Sequence, residues 1–428
     1  MRPPNRLDTR AATRPPLLLR AAPTVVVLLA CIAFAPPLAI DGRLSHLEYA
    51  LVALSLVLVL AMFSQQTLSR VPVPIPGVAL LAVMAASTAV SYSRVDTVRD
   101  VLTFTVIALS ALILVQISSL NALAVGVAMS GMILIVWGLV LLVVSPETVF
   151  TSTGALVGPY GNRNGLAYAL LQSVPAALGM RLAWRTGAVA KGLVVVALSA
   201  GVVATTSKTA LLALAALLAV AGAVVLIRRR RVFGIVIGGV ALVAIAIGAA
   251  NFGRILEAFG KGDTINGRTP IWEALLPLIG QRPVTGYGWS MAWPVQGPPS
   301  GDVRWRLNGI TVYHAHNEVL NWLITTGVVG ALLVLSIYVL VVWAGIKVFL
   351  HTELAAAAWI FLGVMVLLLR GLSDISETLP QGWFVLMILA AASAKYLPDT
   401  LSRPLPRWLV FDIRVHEPVG AHGKPEQE

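Results

Sequence analysis

Charge is the first thing this chain lacks. Only 12% of its 428 residues are Asp, Glu, Lys or Arg, about half of what a soluble domain carries. With 58% of residues hydrophobic, a water-soluble globule is excluded, and the chain is read as an all-α polytopic membrane protein lodged in the lipid bilayer. Cysteine is nearly absent as well: Cys31 stands alone. No disulfide framework within the chain is possible, and thiols give no clue to compartment. Acidic residues number 19 against 31 Lys and Arg, for a net charge of +12. In a membrane protein that excess marks the cytoplasmic side of the helices rather than nucleic acid. No internal repeat or low-complexity tract is evident, so an array of repeated units is excluded too.

What is present is a series of apolar runs long enough to cross a bilayer. They lie at 21–40, 49–64, 78–93, 101–118, 122–145, 165–182, 188–206, 209–227, 232–250, 319–346, 354–370 and 382–396. About twelve transmembrane helices are expected. A basic leader, 1–20, precedes transmembrane helices 1–9 at 21–250. An extracytoplasmic catalytic loop at 251–317 separates these from helices 10–12 at 318–397, and a polar, Pro-containing tail follows at 398–428. Placing the leader in the cytoplasm also puts Arg228–Arg231 there, as the positive-inside tendency demands. The N-terminus has features of a signal peptide, but its apolar stretch is long enough to span and Leu29 fits a lipoprotein cleavage site poorly.

Polar residues are concentrated outside the helices on one face. The loop 251–317 carries Arg268, Arg282, Trp272, Tyr287, Trp289 and Tyr313, and an insertion of that length is usually functional. Within it, Pro270 suits a first helical turn, and Trp272, Leu275, Leu276 and Ile279 predict an amphipathic helix along the membrane surface. The loop ends at Tyr313-His314-Ala315-His316-Asn317, where two imidazoles meet the start of a spanning helix. Three further sites lie at helix ends. Gly158 to Gly165 is a Gly/Asn-rich turn with Arg163; Thr205 to Thr209 brings Lys208 among hydroxyls; and Arg370 with Asp374 reads as a local ion pair, followed by Glu377.

Five of these segments in order resemble the bacterial O-antigen ligase and polysaccharide polymerase family. They are Gly161-Asn162-Arg163-Asn164, Ser207-Lys208-Thr209, Gly267-Arg268-Thr269-x-x-Trp272, Arg282-Pro283-x-x-Gly286-Tyr287-Gly288, and His316-Asn317 followed by Gly327 and Gly330. The form of the two arginine motifs is most similar to the exopolysaccharide-polymerase branch. One departure is Lys208, where the family often has Arg; Lys keeps the charge but not the bidentate geometry.

The resemblance implies a C-type membrane glycosyltransferase in the bacterial cytoplasmic membrane, active on its extracytoplasmic face. The implied donor is a glycan on undecaprenyl diphosphate, the acceptor a glycan or lipid-linked glycan, with no metal and no cofactor. In such an enzyme Lys208, Arg268, Arg163 and Arg282 would bind the diphosphate and stabilise it as leaving group. His316 would take the proton of the acceptor hydroxyl, and one displacement would invert the anomeric configuration. Asn317 and Glu318 could orient the base, although Asn and an early acidic residue also suit a helix start. His314, Tyr287 and Trp289 could support it or line an acceptor groove, and His314 is equally an ordinary interfacial histidine. Gly327 and Gly330 read as close helix packing. His-x-His invites a metal reading, but neither a cysteine partner, a His-Glu-x-x-His motif nor an obvious third ligand accompanies it. The alternative function is a secondary transporter or lipid-linked glycan exporter, whose charged residues should lie at mid-membrane rather than on one outer face.

Overall fold

A computed structural model describes residues 71–182, 185–229, 268–290, 293–294, 296–351, 354–376, 378–396 and 410–413. The leader, the expected spans 21–40, 49–64 and 232–250, the loop segment 251–267 with Gly267, and Glu377 lie outside the described residues.

Helices build the molecule, in the order α1 Ile75–Ala86, α2 Arg94–Ile117, α3 Leu120–Val144, α4 Arg163–Gly179, α5 Gly187–Ala204, α6 Lys208–Arg229, α7 Arg268–Gln281, α8 Ser300–Arg306, α9 Glu318–His351, α10 Leu354–Gly371 and α11 Pro380–Tyr396. Four of them are long and apolar enough to cross a membrane: α2, α3, α5 and the stretch Glu318–Lys347 of α9. The other described runs form shorter or more polar helices, as in α1, which Pro74 and Pro76 start and a 3₁₀ turn at Ser87–Ala89 ends. Val410–Ile413 (β2) pairs antiparallel with Val71–Pro74 (β1), Val71 opposite Ile413, as the apolar residues of Val-Phe-Asp-Ile allow.

Two helices form the interior. In α4 every residue from Leu166 to Ala177 is buried, and in α11 every residue from Trp383 to Ala394; a helix that is apolar all round belongs inside. Around α4 pack α3, α5, α6 and α10, and around α11 pack α2, α9 and α10. The outer helices do the reverse. On α3, Val136, Leu139, Val140 and Val143 are exposed, and on α5, Val189, Leu193 and Val196. Apolar faces of that extent suit lipid rather than water.

An aromatic column ties the outer loop to this interior. Trp289 stacks on Trp322 at 4.5 Å between ring centroids and meets Phe104 edge-on at 5.2 Å. Trp383 packs against the same Phe104 and donates its indole N–H to the Phe104 carbonyl at 2.9 Å. Aromatic pairs of this kind contribute about 0.5–1.5 kcal/mol each beyond the area they bury.

α9 is broken near its start. Gly327 has φ 70° and ψ −168° inside the helix, a region reserved for glycine. The helical bond that Val328 N–H would make to the Ile324 carbonyl is therefore lost, and both groups turn to the loop. Val328 N–H donates to the Pro283 carbonyl at 2.8 Å, while Ile324 accepts from Tyr287 N–H at 2.8 Å. Thr325 accepts from Gly288 N–H at 2.8 Å. A Cβ on Gly327 would strike the Val284 carbonyl, and one on Gly286 the Thr325 backbone. Gly327 thus serves a backbone junction between helix and loop, where sequence predicts helix-on-helix packing.

Candidate active site

The histidine segment is held by its backbone before its rings are considered. Ala315, between His314 and His316, receives the Trp272 indole N–H on its carbonyl at 2.9 Å and gives its own N–H to Asn321 Oδ1 at 3.2 Å. His316 is fixed with φ 48°, an unusual conformation for a residue with a side chain. Asn317 serves as helix cap, Oδ1 accepting from Leu320 N–H at 3.0 Å and Nδ2 donating to the Leu372 carbonyl at 3.3 Å.

Neither Asn317 nor Glu318 bonds the His316 ring in this arrangement. The partner is Asp374, in the turn after α10, with Oδ1 3.3 Å from His316 Nδ1. Sequence spacing pairs that carboxylate with Arg370. Instead Arg370 places its guanidinium over the Tyr168 ring at 5.0 Å, and Tyr168 OH lies 2.8 Å from Ser373 Oγ. Glu318 has a different task, holding the Asp374 turn. Its carboxylate accepts from Ser376 N–H, from Thr378 N–H at 3.0 Å and from the Thr378 hydroxyl, and also from the Trp322 indole at 2.8 Å.

Arg268 completes the group. It opens α7, and its Nη2 stands 3.9 Å from Asp374 Oδ2. Four residues on, Trp272 projects from the same side of the helix, which explains the spacing of that motif: one residue faces the carboxylate, the other grips the histidine backbone. The face of α7 that packs inward is Ile271, Ala274, Leu275 and Leu278 against α9, while Leu276 is 58% exposed. Docking on α9, rather than lying free on a membrane surface, thereby selects which apolar residues are covered. Arg268 itself is only 6% exposed, yet its Nη1 has no hydrogen-bond partner among the described residues.

The same guanidinium lines a cleft of about 60 Å³ with Arg163, Asn164, Thr206, Ser207, Lys208 and Thr209. Two loops meet there. Asn162 caps α4 by accepting from Asn164 N–H at 2.8 Å, and Ser207 donates to Asn164 Oδ1 at 2.8 Å, locking the Gly-Asn-Arg-Asn turn to the Ser-Lys-Thr turn. The cleft therefore gathers three cations from three separate motifs.

Arg282, Tyr287 and Trp289 are not part of this assembly. Arg282 lies over the Tyr287 ring at 4.8 Å and lines another cleft. Tyr287 OH donates within the loop, toward Gln281 Oε1 at 3.1 Å and the Leu278 carbonyl at 3.3 Å. Trp289 is wholly buried in the aromatic column. Gly286 and Gly288, at φ 62° and 105°, fold this stretch against α9 and Ser91 so closely that its rings turn inward. An acceptor-groove role for Tyr287 and Trp289 is thereby corrected to a scaffold role.

Electrostatics sharpen the difference between the histidines. Their rings lie 4.0 Å apart at 63°. Burial depresses the His314 pKa to about 3, with His316 adding to the effect, so His314 is neutral near neutral pH. For Asp374 burial alone acts upward, but the His316 hydrogen bond and the surrounding positive groups outweigh it and hold the carboxyl below the usual range. His314, His316 and Asp374 also place one donor atom each within 4.8 Å of one another. The third possible ligand that the sequence around His-x-His lacks is thus supplied from 374.

The structure brings Arg163, Lys208 and Arg268 to one cleft and Arg268 and His316 to one carboxylate, and it adds contacts of Asp374, Asn321 and Glu318 that the motifs do not contain. The available signal was the cluster Arg370, Asp374 and Glu377 in an otherwise apolar stretch. Residues 193–335 match the family model described as O-antigen ligase, a span that includes Lys208, Arg268, His316, Gly327 and Gly330. The exopolysaccharide production protein ExoQ of Rhizobium meliloti (strain 1021) is 30% identical over 161 residues, 36% of this chain and 37% of ExoQ. The chain therefore spans a little over a third of that curated relative's length. Its motifs and these two matches agree, and over these segments the chain is similar to the O-antigen ligase and polysaccharide polymerase family.

Proposed function

We propose that this protein is a membrane glycosyltransferase of surface-polysaccharide biosynthesis, moving an oligosaccharide from an undecaprenyl-diphosphate donor to a glycan acceptor on the extracytoplasmic face. The observation that carries the reading is the position of Arg268. It borders the cleft of Arg163 and Lys208 and also faces the carboxylate that holds His316. A buried guanidinium whose Nη1 has no hydrogen-bond partner among the described residues, beside two other cations, is suited to an anion. The donor diphosphate fits that chemistry, and its departure needs the same positive charge.

His316 then acts as base. Asp374 on Nδ1 fixes the ring and leaves Nε2 to accept the acceptor hydroxyl proton, an effect of about 10²- to 10⁴-fold. The hydroxyl oxygen bonds to the anomeric carbon as the bond to the diphosphate oxygen breaks, and the configuration inverts. Fixed arginines supply the charge that a divalent ion supplies elsewhere. A cation held by His314, His316 and Asp374 would have Arg268 beside it, and like charges at that range repel.

Reconstitution with an undecaprenyl-diphosphate oligosaccharide tests the proposal. A ladder of lengths from this substrate alone identifies a polymerase, and transfer only to an added acceptor identifies a ligase. Product NMR should show inversion, and EDTA should leave the rate unchanged. Retention, or full loss with EDTA and recovery with a divalent metal, would each overturn the corresponding step.

A further inference from the structure

Arg282 carries a motif guanidinium but stands apart from the cleft just described. With Arg94 it lines a second cleft of about 590 Å³, whose other walls include Val90, Ser91 and the segment 283–285. No carboxylate is among the described residues that line it.

Its walls are stitched together. Ser91 Oγ lies 2.6 Å from Thr97 Oγ1, and Gly288 packs directly on Ser91. Trp289 N–H donates to Ser87 Oγ at 2.8 Å, while its carbonyl accepts from the Thr97 hydroxyl at 2.8 Å. Arg282 is steadied over Tyr287, and Pro283 is bonded to Val328 just past the break in α9. The two guanidiniums are thus presented across a rigid opening, and fixed donors bind anions better than mobile ones.

The position of the opening relative to the base matters most. α9 starts at Glu318, two residues after His316, and breaks at Gly327. At 1.5 Å per residue the second cleft lies roughly 15 Å from the base, measured along that helix. A short oligosaccharide bridges such a gap.

We propose that the cleft of Arg94 and Arg282 binds the diphosphate of a second lipid-linked glycan, the acceptor. The inference rests on the glycosyltransferase reading and deepens it. If both substrates are lipid-linked, each carries a diphosphate, and the acceptor's attacking hydroxyl lies at the opposite end of its glycan from that group. The acceptor diphosphate must then be held away from His316 by the length of the glycan. Its diphosphate stays intact: the acceptor oxygen bonds to the donor anomeric carbon, the donor diphosphate leaves with the bonding electrons, and the proton goes to His316. Guanidiniums suit this ligand because they meet phosphoryl oxygens in pairs.

The test uses the full chain in lipid vesicles with an undecaprenyl-diphosphate oligosaccharide as donor. Two acceptors are compared, the same lipid-linked oligosaccharide and a water-soluble oligosaccharide of equal sequence without lipid diphosphate. In an Arg94→Gln/Arg282→Gln variant, KM for the lipid-linked acceptor should rise about tenfold or more, with kcat and transfer to the soluble acceptor unchanged. Arg94→Lys/Arg282→Lys should recover part of the loss. An unchanged KM, or an equal loss with both acceptors, overturns the proposal while leaving the glycosyltransferase reading in place. A wild-type protein inactive with both acceptors removes that reading and this one together.

Discussion

The segments 268–272 and 282–289 invite comparison, since both set an arginine near aromatic residues in the outer loop. Arg268 is buried against Asp374 with no hydrogen-bond partner for its Nη1 among the described residues, and Trp272 spends its indole N–H on the histidine backbone. Arg282 is exposed, the Tyr287 hydroxyl bonds within the outer loop, and Trp289 is buried with no partner for its indole N–H among the described residues. Backbone path makes the difference. A regular helix presents residues four apart on one side, toward the site, whereas Gly286 and Gly288 bend the second segment into α9. Similar composition therefore faces the histidine and its carboxylate in one place and the helical interior in the other.

The largest effects should separate the two. Arg268→Ala and His316→Ala should each lower kcat by about 10²- to 10⁴-fold while the melting temperature in detergent stays near wild type. Trp289→Ala should act in the opposite sense, costing about 3–5 kcal/mol of stability while the folded fraction keeps its turnover. A Trp289→Ala protein that melts normally but is inactive would break the distinction. Asp374→Asn should lie between, with about a 10²-fold fall from a misplaced ring and a changed pH profile of kcat. An unaltered profile would remove Asp374 from the role of holding His316.

How much of this was legible beforehand depends on sequence distance. Arg163, Lys208, Arg268 and His316 stand in short motifs, and each can be found without knowing the fold. Asp374 could not be matched to His316, because Arg370 four residues before it offers a sufficient local partner on paper. The α10 turn reverses that choice by directing Asp374 back toward the loop. Helices were legible from apolar runs, but which were interior was not: α4 and α3 read alike, and only packing shows that one is enclosed and the other presents Val136, Leu139 and Val143 outward. Gly327 was legible as important and misread in kind. A glycine in an apolar helix suggests close helix contact, and nothing local reveals that a loop will take its neighbours' hydrogen bonds.

That junction supplies the next prediction. Gly327→Ala would place a methyl group against the Val284 carbonyl and hold alanine at φ 70°. The conformation alone costs about 1–3 kcal/mol, so the melting temperature should fall. Since Pro283 and Tyr287 are anchored here, the variant should also raise KM for the lipid-linked acceptor more than for a soluble one. Equal melting temperatures would mean that the break in α9 is not fixed by glycine.

The smallest effect concerns His314, which stands beside the chemistry but is held as scaffold. Its folded pKa of about 3 lies below its ordinary 6.5. Between those values the unfolded chain binds a proton that the folded protein refuses, so stability falls as pH drops through the window and is unaffected by His314 above it. Asp374 acts with the same sign but only in more acidic solution, because its own depression starts from an ordinary value of 3.8. Burial raises the Glu318 pKa to about 7, so it titrates in the same window with the opposite sign, and His314 is read by difference from melting curves: between pH 7 and pH 5, His314→Gln should lose less stability, or gain more, than wild type, with turnover at pH 7 nearly intact. Identical slopes would mean that His314 is not held neutral. A large loss of turnover would move it from the architectural side of the comparison to the catalytic one, because a neutral imidazole 4.0 Å from His316 would then be sharing the proton rather than packing beside it.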